Sequence, residues 1–171
     1  MIYVSPLSGV EEAIRLHGPS HLVSLLDPDS MIGTPDGIEA NRHLRLGVND
    51  IATPVDTLTA PGERHVAELV SFVRDWDQTS PMLVHCWAGI SRSTAAAFIT
   101  LCILNESQSE EALAQIIRQR GAHAYPNRLM VRHADNLLRR KGRMVEAVEA
   151  MGPAKATWEG VTFSLPVRPE L

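Results

Sequence analysis

At 171 residues, 44% apolar and 21% charged, with a net charge of −4 at pH 7, the chain is long enough for one domain with a sizeable core and too short for a second. No apolar run approaches the length of a membrane span, no basic start leads into an apolar stretch, and no repeat or low-complexity segment occurs, so no membrane partner is expected and the cytoplasm is the expected location. The two cysteines, Cys86 and Cys102, agree with a reducing compartment, and without any Cys/His ligand spacing neither a metal nor another cofactor is expected.

Ile2-Tyr3-Val4 is short and β-prone and predicts a first strand; beyond Pro6 and Gly9 a helix is expected over Val10–His17, stopped by Gly18-Pro19. His21–Leu26 is a near-continuous apolar run closed by Asp27-Pro28, the pattern of a strand buried on both faces and hence of a parallel sheet. Residues 27–40 hold Pro28, Gly33, Pro35 and Gly37 without periodicity and read as loop with a helical turn at most. Alternation over His43-Leu44-Arg45-Leu46-Gly47-Val48 predicts a strand that delivers Asn49-Asp50 at its end. After a polar loop over 53–60, Val66, Leu69, Val70 and Val73 mark the inner stripe of a helix over about 61–76.

Ser80-Pro81 breaks the chain before an apolar strand at Met82-Leu83-Val84, and residues 94–104 are nearly all apolar or small, as in a helix buried on most sides. Ser107-Gln108-Ser109-Glu110 fits a capping box opening a helix with Leu113, Ile116 and Ile117 inward and Gly121 as its stop. From Pro126-Asn127 onward, Leu129, Met130, His133, Ala134, Leu137 and Leu138 follow helical spacing, and Met144, Val145, Val148 and Met151 continue it past a kink or division at Gly142. Residues 157–165 alternate weakly and form either a docked strand or a loose tail, so the domain is bounded at 1–151, with 152–171 as a tail or docked extension. The expected fold is α/β, a central, mostly parallel sheet of about four to five strands flanked by helices on both faces.

The basic residues Arg118, Arg120, Arg128, Arg132, Arg139, Arg140, Lys141 and Arg143 cluster with only Asp135 among them. Such a run is ordinarily the solvated face of a helix, so a nucleic acid is not the expected partner. Cys102 reads as core, and His17, His21, His65, His123 and His133 as packing or surface residues.

The chemistry concentrates in His85-Cys86-Trp87-Ala88-Gly89-Ile90-Ser91-Arg92-Ser93, between the apolar strand and the small-residue helix. A loop passing from a strand end into a helix N-terminus turns several backbone N–H groups and the positive end of the helix dipole toward one point, which makes an anion site of residues 87–92. Cys86 opens the loop and Arg92 closes it, so a thiol faces an anion gripped by amides and by a planar guanidinium able to hold two phosphate oxygens. Free cysteine titrates near about 8.5, and helix N-termini and nearby cations lower that value, so the thiol is expected to ionise into a nucleophile. Gly89 lets the backbone turn tightly, and Ser93 offers its hydroxyl to the sulfur as a leaving group. A proton donor for a departing alkoxide must come from a neighbouring loop at the same sheet edge, where Asp27, Asp50 and Asp56 compete.

HCxxGxxRS resembles the signature of the cysteine-dependent protein tyrosine and dual-specificity phosphatases; ordinary residue usage brings its five fixed positions together in on the order of one chain in 10^5. The resemblance covers about residues 43–138, and the chain is similar to small bacterial members of that superfamily. It implies a phosphatase-like fold and hydrolysis of a phosphorylated protein or small phosphate monoester through a phosphocysteine. Phosphotyrosine is the leading substrate, with phosphoserine or phosphothreonine open. Gly-Val-Asn-Asp-Ile resembles the general-acid loop of the dual-specificity enzymes, which selects Asp50, with Asp56 next. His85 is implied to hold the loop backbone and tune the thiolate, and Asn127 resembles the Asn that precedes the last helix, although a helix-capping Asn looks the same. The chain has no Trp-Pro-Asp acid loop and no lysines within the signature loop, departures that argue against strict tyrosine specificity and against multiply phosphorylated substrates. Two other readings stay open: a phosphate-binding pseudophosphatase module, and another thiol enzyme such as a sulfurtransferase or arsenate reductase.

Overall fold

The computed structural model describes residues 1–170. Five strands, β1 (Ile2–Pro6), β2 (His21–Leu26), β3 (His43–Gly47), β4 (Met82–Cys86) and β5 (Phe163–Leu165), form one sheet in the order β3-β2-β4-β1-β5. The first four are parallel, and β5 joins the outer edge of β1 antiparallel, with Val4 opposite Phe163. All six residues of β2 and all five of β4 are buried, as strands covered on both faces must be.

Helix α1 (Val10–His17) covers one face, where Val10 and Ala13 pack with Leu22, Ile38 and Leu83. The opposite face carries α2 (Glu63–Asp75), α3 (Arg92–Leu104), α4 (Glu110–Arg120), α5 (Arg128–Leu137) and α6 (Arg143–Ala150) over the main core. At the centre of this layer is α3, buried from Arg92 through Ile103; its Ala95-Ala96-Ala97 run lets it lie close to the sheet. Among the described residues no helix is long and apolar enough to cross a membrane.

Two local expectations change, and the choice between a kink and a division at Gly142 is decided. The cap of α4 is Ser109, whose Oγ accepts the Ala112 N–H, so a single cap two residues on replaces the capping box drawn from Ser107. The long C-terminal pattern is divided at Gly142 rather than kinked, because buried Asp135 at the end of α5 turns its carboxylate onto the N–H groups of Gly142 and Met144 at 2.7 and 2.8 Å and opens α6 there. Arg140 lies not on a solvated face but buried, donating to Glu110 and to the carbonyls of Cys102 and Glu106 at the end of α3.

Candidate active site

Parallel strands bring their C-terminal ends to one edge, and there β2 ends at Asp27, β3 at Val48–Asp50 and β4 at Cys86. The loop 87–91 then climbs from β4 into α3. Its carbonyls are held from outside by the surrounding chain: Trp87 O by Leu7 N at 3.0 Å, Ala88 O by Gly160 N at 2.8 Å, Ile90 O by Tyr125 N at 2.8 Å and Ser91 O by Asn127 N at 3.3 Å. Thr94 Oγ1 donates to the Ile90 and Ser91 carbonyls as well. No peptide bond among the described residues is cis, and in a trans peptide the N–H points opposite to the C=O before it. Anchoring each carbonyl outward therefore turns the amides of Ala88, Gly89, Ser91 and Arg92 toward the loop's interior.

Gly89 has φ +69, and a Cβ there would stand 2.6 Å from Pro6 N, so the turn is open to glycine alone. Cys86 is buried at the floor, with Sγ 3.1 Å from Ser93 Oγ. Arg92 is also buried; its Nη1 donates to Asp27 Oδ1 at 2.8 Å and to Val48 O at 2.7 Å, while Nε has no partner. One nitrogen thus anchors the guanidinium and the remaining edge is available for two oxygens of a phosphoryl group.

These groups line a cleft of about 470 Å³ with Asp27, Asn49, Asp50, Ser91 and Arg92 as its polar part and Ile51, Leu58 and Trp87 as its apolar part. Asp50 is at the lip, where Oδ1 accepts from Ser91 Oγ at 2.6 Å and from Asn127 Nδ2 at 3.0 Å. Asn127 Oδ1 caps α5 by accepting from the N–H groups of Leu129 and Met130, and its Nδ2 donates to Asp50 Oδ1 and the Ile51 carbonyl. Asp56 lies exposed farther along the same loop and does not line the cleft.

Beneath the nucleophile runs a buried polar chain. Thr34 Oγ1 is 2.9 Å from His43 Nδ1, His43 Nε2 is 2.8 Å from Ser24 Oγ, Ser24 Oγ is 2.6 Å from His85 Nε2, and His85 Nδ1 is 3.3 Å from Cys86 O. A carbonyl only accepts, so His85 carries its proton on Nδ1, and every hydroxyl and ring upstream is then set in one direction. Burial pushes the pKa of both His85 and His43 down to about 4, which keeps the two rings neutral. Nothing local in the sequence marks Ser24 or His43, nor Asp27 as the partner of Arg92; the shared sheet edge is the one signal for Asp27. Cys102 is buried in the core, where burial raises its thiol pKa.

Residues 55–122 match the family model described as protein-tyrosine phosphatase. No curated protein matches the chain. Among solved structures, DUSP15 is 18% identical with a TM-score of 0.62, covering 89% of this chain and 92% of its own. PTPMT1 in complex with PI(5)P is 14% identical with a TM-score of 0.60, covering 82% and 94%. The human tyrosine phosphatase-like serine/threonine/tyrosine-interacting protein is 17% identical with a TM-score of 0.59, covering 82% and 92%. At these identities the likeness is one of fold.

Proposed function

We propose that this chain, whose residues 55–122 match the protein-tyrosine phosphatase family model, is a phosphatase of the protein-tyrosine and dual-specificity type that hydrolyses phosphate monoesters through a phosphocysteine on Cys86. The observation that carries this reading is the outward anchoring of four carbonyls in the loop that Cys86 opens at the end of β4 and Arg92 closes. Sulfur attacks phosphorus, the P–O ester bond breaks, and Asp50 gives its proton to the departing oxygen. The amides and the free edge of Arg92 hold the three equatorial oxygens as charge builds on them. Water then attacks, Asp50 takes its proton, and the P–S bond breaks toward a thiolate that receives a hydrogen bond from Ser93.

Ile51, Leu58 and Trp87 give the leaving group an apolar wall, which suits the ring of phosphotyrosine. Arg92 is the one cation among the cleft's lining residues, beside two carboxylates, Asp27 and Asp50, which favours a singly phosphorylated group over a polyphosphorylated one. A thiolate nucleophile persists in a reducing compartment, in keeping with the cytoplasm.

The test is turnover of 4-nitrophenyl phosphate and of phosphotyrosine, phosphoserine and phosphothreonine peptides by the wild type and by Cys86→Ser. The reading requires phosphate release by the wild type and its loss in the variant. Binding without release would favour a pseudophosphatase, and release unaffected by the substitution would remove Cys86 from the chemistry.

A further inference from the structure

We propose that the C-terminal strap, residues 152–162, is a working part of the phosphate-binding loop, with Gly160 a positioning residue that orients the Gly89 amide toward the phosphoryl site. The inference rests on the reading of that loop as the site of phosphoryl transfer.

The strap leaves α6 and crosses behind residues 87–90 before becoming β5. It is held at Lys155, whose N–H donates to Ala122 O at 2.8 Å, and at Glu159, whose carboxylate accepts from Ser8 Oγ at 2.8 Å. Within residues 155–162 only Gly160 is buried, so the strap dips toward the core at that one point. There its N–H donates to Ala88 O at 2.8 Å, the strap's one backbone bond to the loop. Ala88 O and the Gly89 N–H belong to the same planar peptide, so drawing the carbonyl outward sets the amide inward. The other anchored loop carbonyls are held from the segment after β1 and from residues 125–127.

The fit at this point is close. A Cβ on residue 160 would meet His123 Nε2 at 2.4 Å and Cδ2 at 2.5 Å, with Gly89 O at 3.2 Å. The His123 ring is buried, with Nε2 unpartnered, and is braced edge-on against Phe163 of β5 at a centroid distance of 5.6 Å. Because the His123 ring is packed against Phe163, a side chain at 160 is accommodated by moving the strap off the loop, and that movement releases the Ala88 carbonyl. The segment that matches the family model is residues 55–122, so Gly160 contacts the loop from outside it.

In Gly160→Ala, kcat/KM for 4-nitrophenyl phosphate should fall about 10- to 100-fold and the inhibition constant of orthovanadate should rise by a similar factor, because the misdirected amide is one of the donors to the equatorial oxygens. Trp158→Ala, two residues away and fully solvent-exposed, should match the wild type in both. In the wild type, orthovanadate should slow hydrogen exchange in the 156–163 segment together with the 85–93 segment, since opening the Gly160 bond then also disturbs the occupied loop. A folded Gly160→Ala protein with wild-type vanadate affinity and kcat/KM would overturn the proposal. If that variant does not fold, exchange in the wild type decides: slowing at 85–93 with none at 156–163 makes the strap a passive cover. Vanadate that slows neither segment, with turnover surviving Cys86→Ser, would instead overturn the reading of the loop itself.

Discussion

Asp27 Oδ1 and Arg92 Nη1 are 2.8 Å apart, an ion pair joining the end of β2 to the first residue of α3 across the floor of the cleft. With Val48 O it saturates one guanidinium nitrogen and aims the opposite edge at the anion site. The Asp27 side chain is 46% exposed, so its charge is screened and its value is chiefly geometric. Asp27→Ala should raise KM for an aryl phosphate about three- to tenfold, with Asp27→Asn nearer the wild type. Arg92→Lys, which lacks two parallel donors, should lose about 10²- to 10³-fold in kcat/KM. Steady-state kinetics of the three variants check the order.

Asp50 is the carboxylate tied to the phosphate loop, through Ser91, and to the start of α5, through Asn127. Asp50→Asn should lower kcat on alkyl phosphates by about 10²- to 10⁴-fold and much less on 4-nitrophenyl phosphate, whose leaving group needs little protonation. Asp56→Asn should behave as wild type on both. Comparing the two substrates separates an acid from a residue that only shapes the loop.

The paired histidines make stability depend on pH. Both have native pKa values of about 4, against about 6.5 for an unfolded histidine, so between those values the unfolded chain binds protons that the native one refuses. Their contribution is fully present above about pH 6.5 and is lost as the pH falls through about 4. Urea unfolding followed from pH 7.5 to 4.5 should show that decline. Ser24→Ala, which leaves ring nitrogens on His43 and His85 without partners, should cost about 2 kcal/mol or more at pH 7.5.

Gly89→Ala combines a left-handed backbone with a collision against Pro6 N. It should destabilise the protein by about 2 to 4 kcal/mol and reduce kcat/KM by more than the loss of stability explains, as the loop's amides are displaced. Thermal unfolding alongside activity at a temperature where the variant is folded checks both parts.

Several of these residues were legible in the sequence because one local pattern gives each its place. The loop 85–93 announces itself through a strand, a glycine and a small-residue helix, and β2 through six apolar residues bounded by Asp27-Pro28. Asp50 and Asn127 were found by resemblance, and the structure brings them within one hydrogen bond of each other. What escaped was long-range pairing. Ser24, His43 and Thr34 are ordinary residues until the parallel register sets β2 between β3 and β4. Gly160 looks like any turn glycine, and its bond to Ala88 depends on where a distant segment crosses the loop. Arg140 reads as one of a basic run, yet its burial follows from the carbonyls left open at the end of α3.

The most direct test of the chemistry is to trap the intermediate. Asp50→Ala should slow hydrolysis of the phosphocysteine, so acid quenching within the first turnover of 4-nitrophenyl phosphate, followed by mass spectrometry of the peptide containing Cys86, should find one added phosphoryl group on that residue. Release of one equivalent of 4-nitrophenol with Cys86 unmodified throughout would contradict the mechanism.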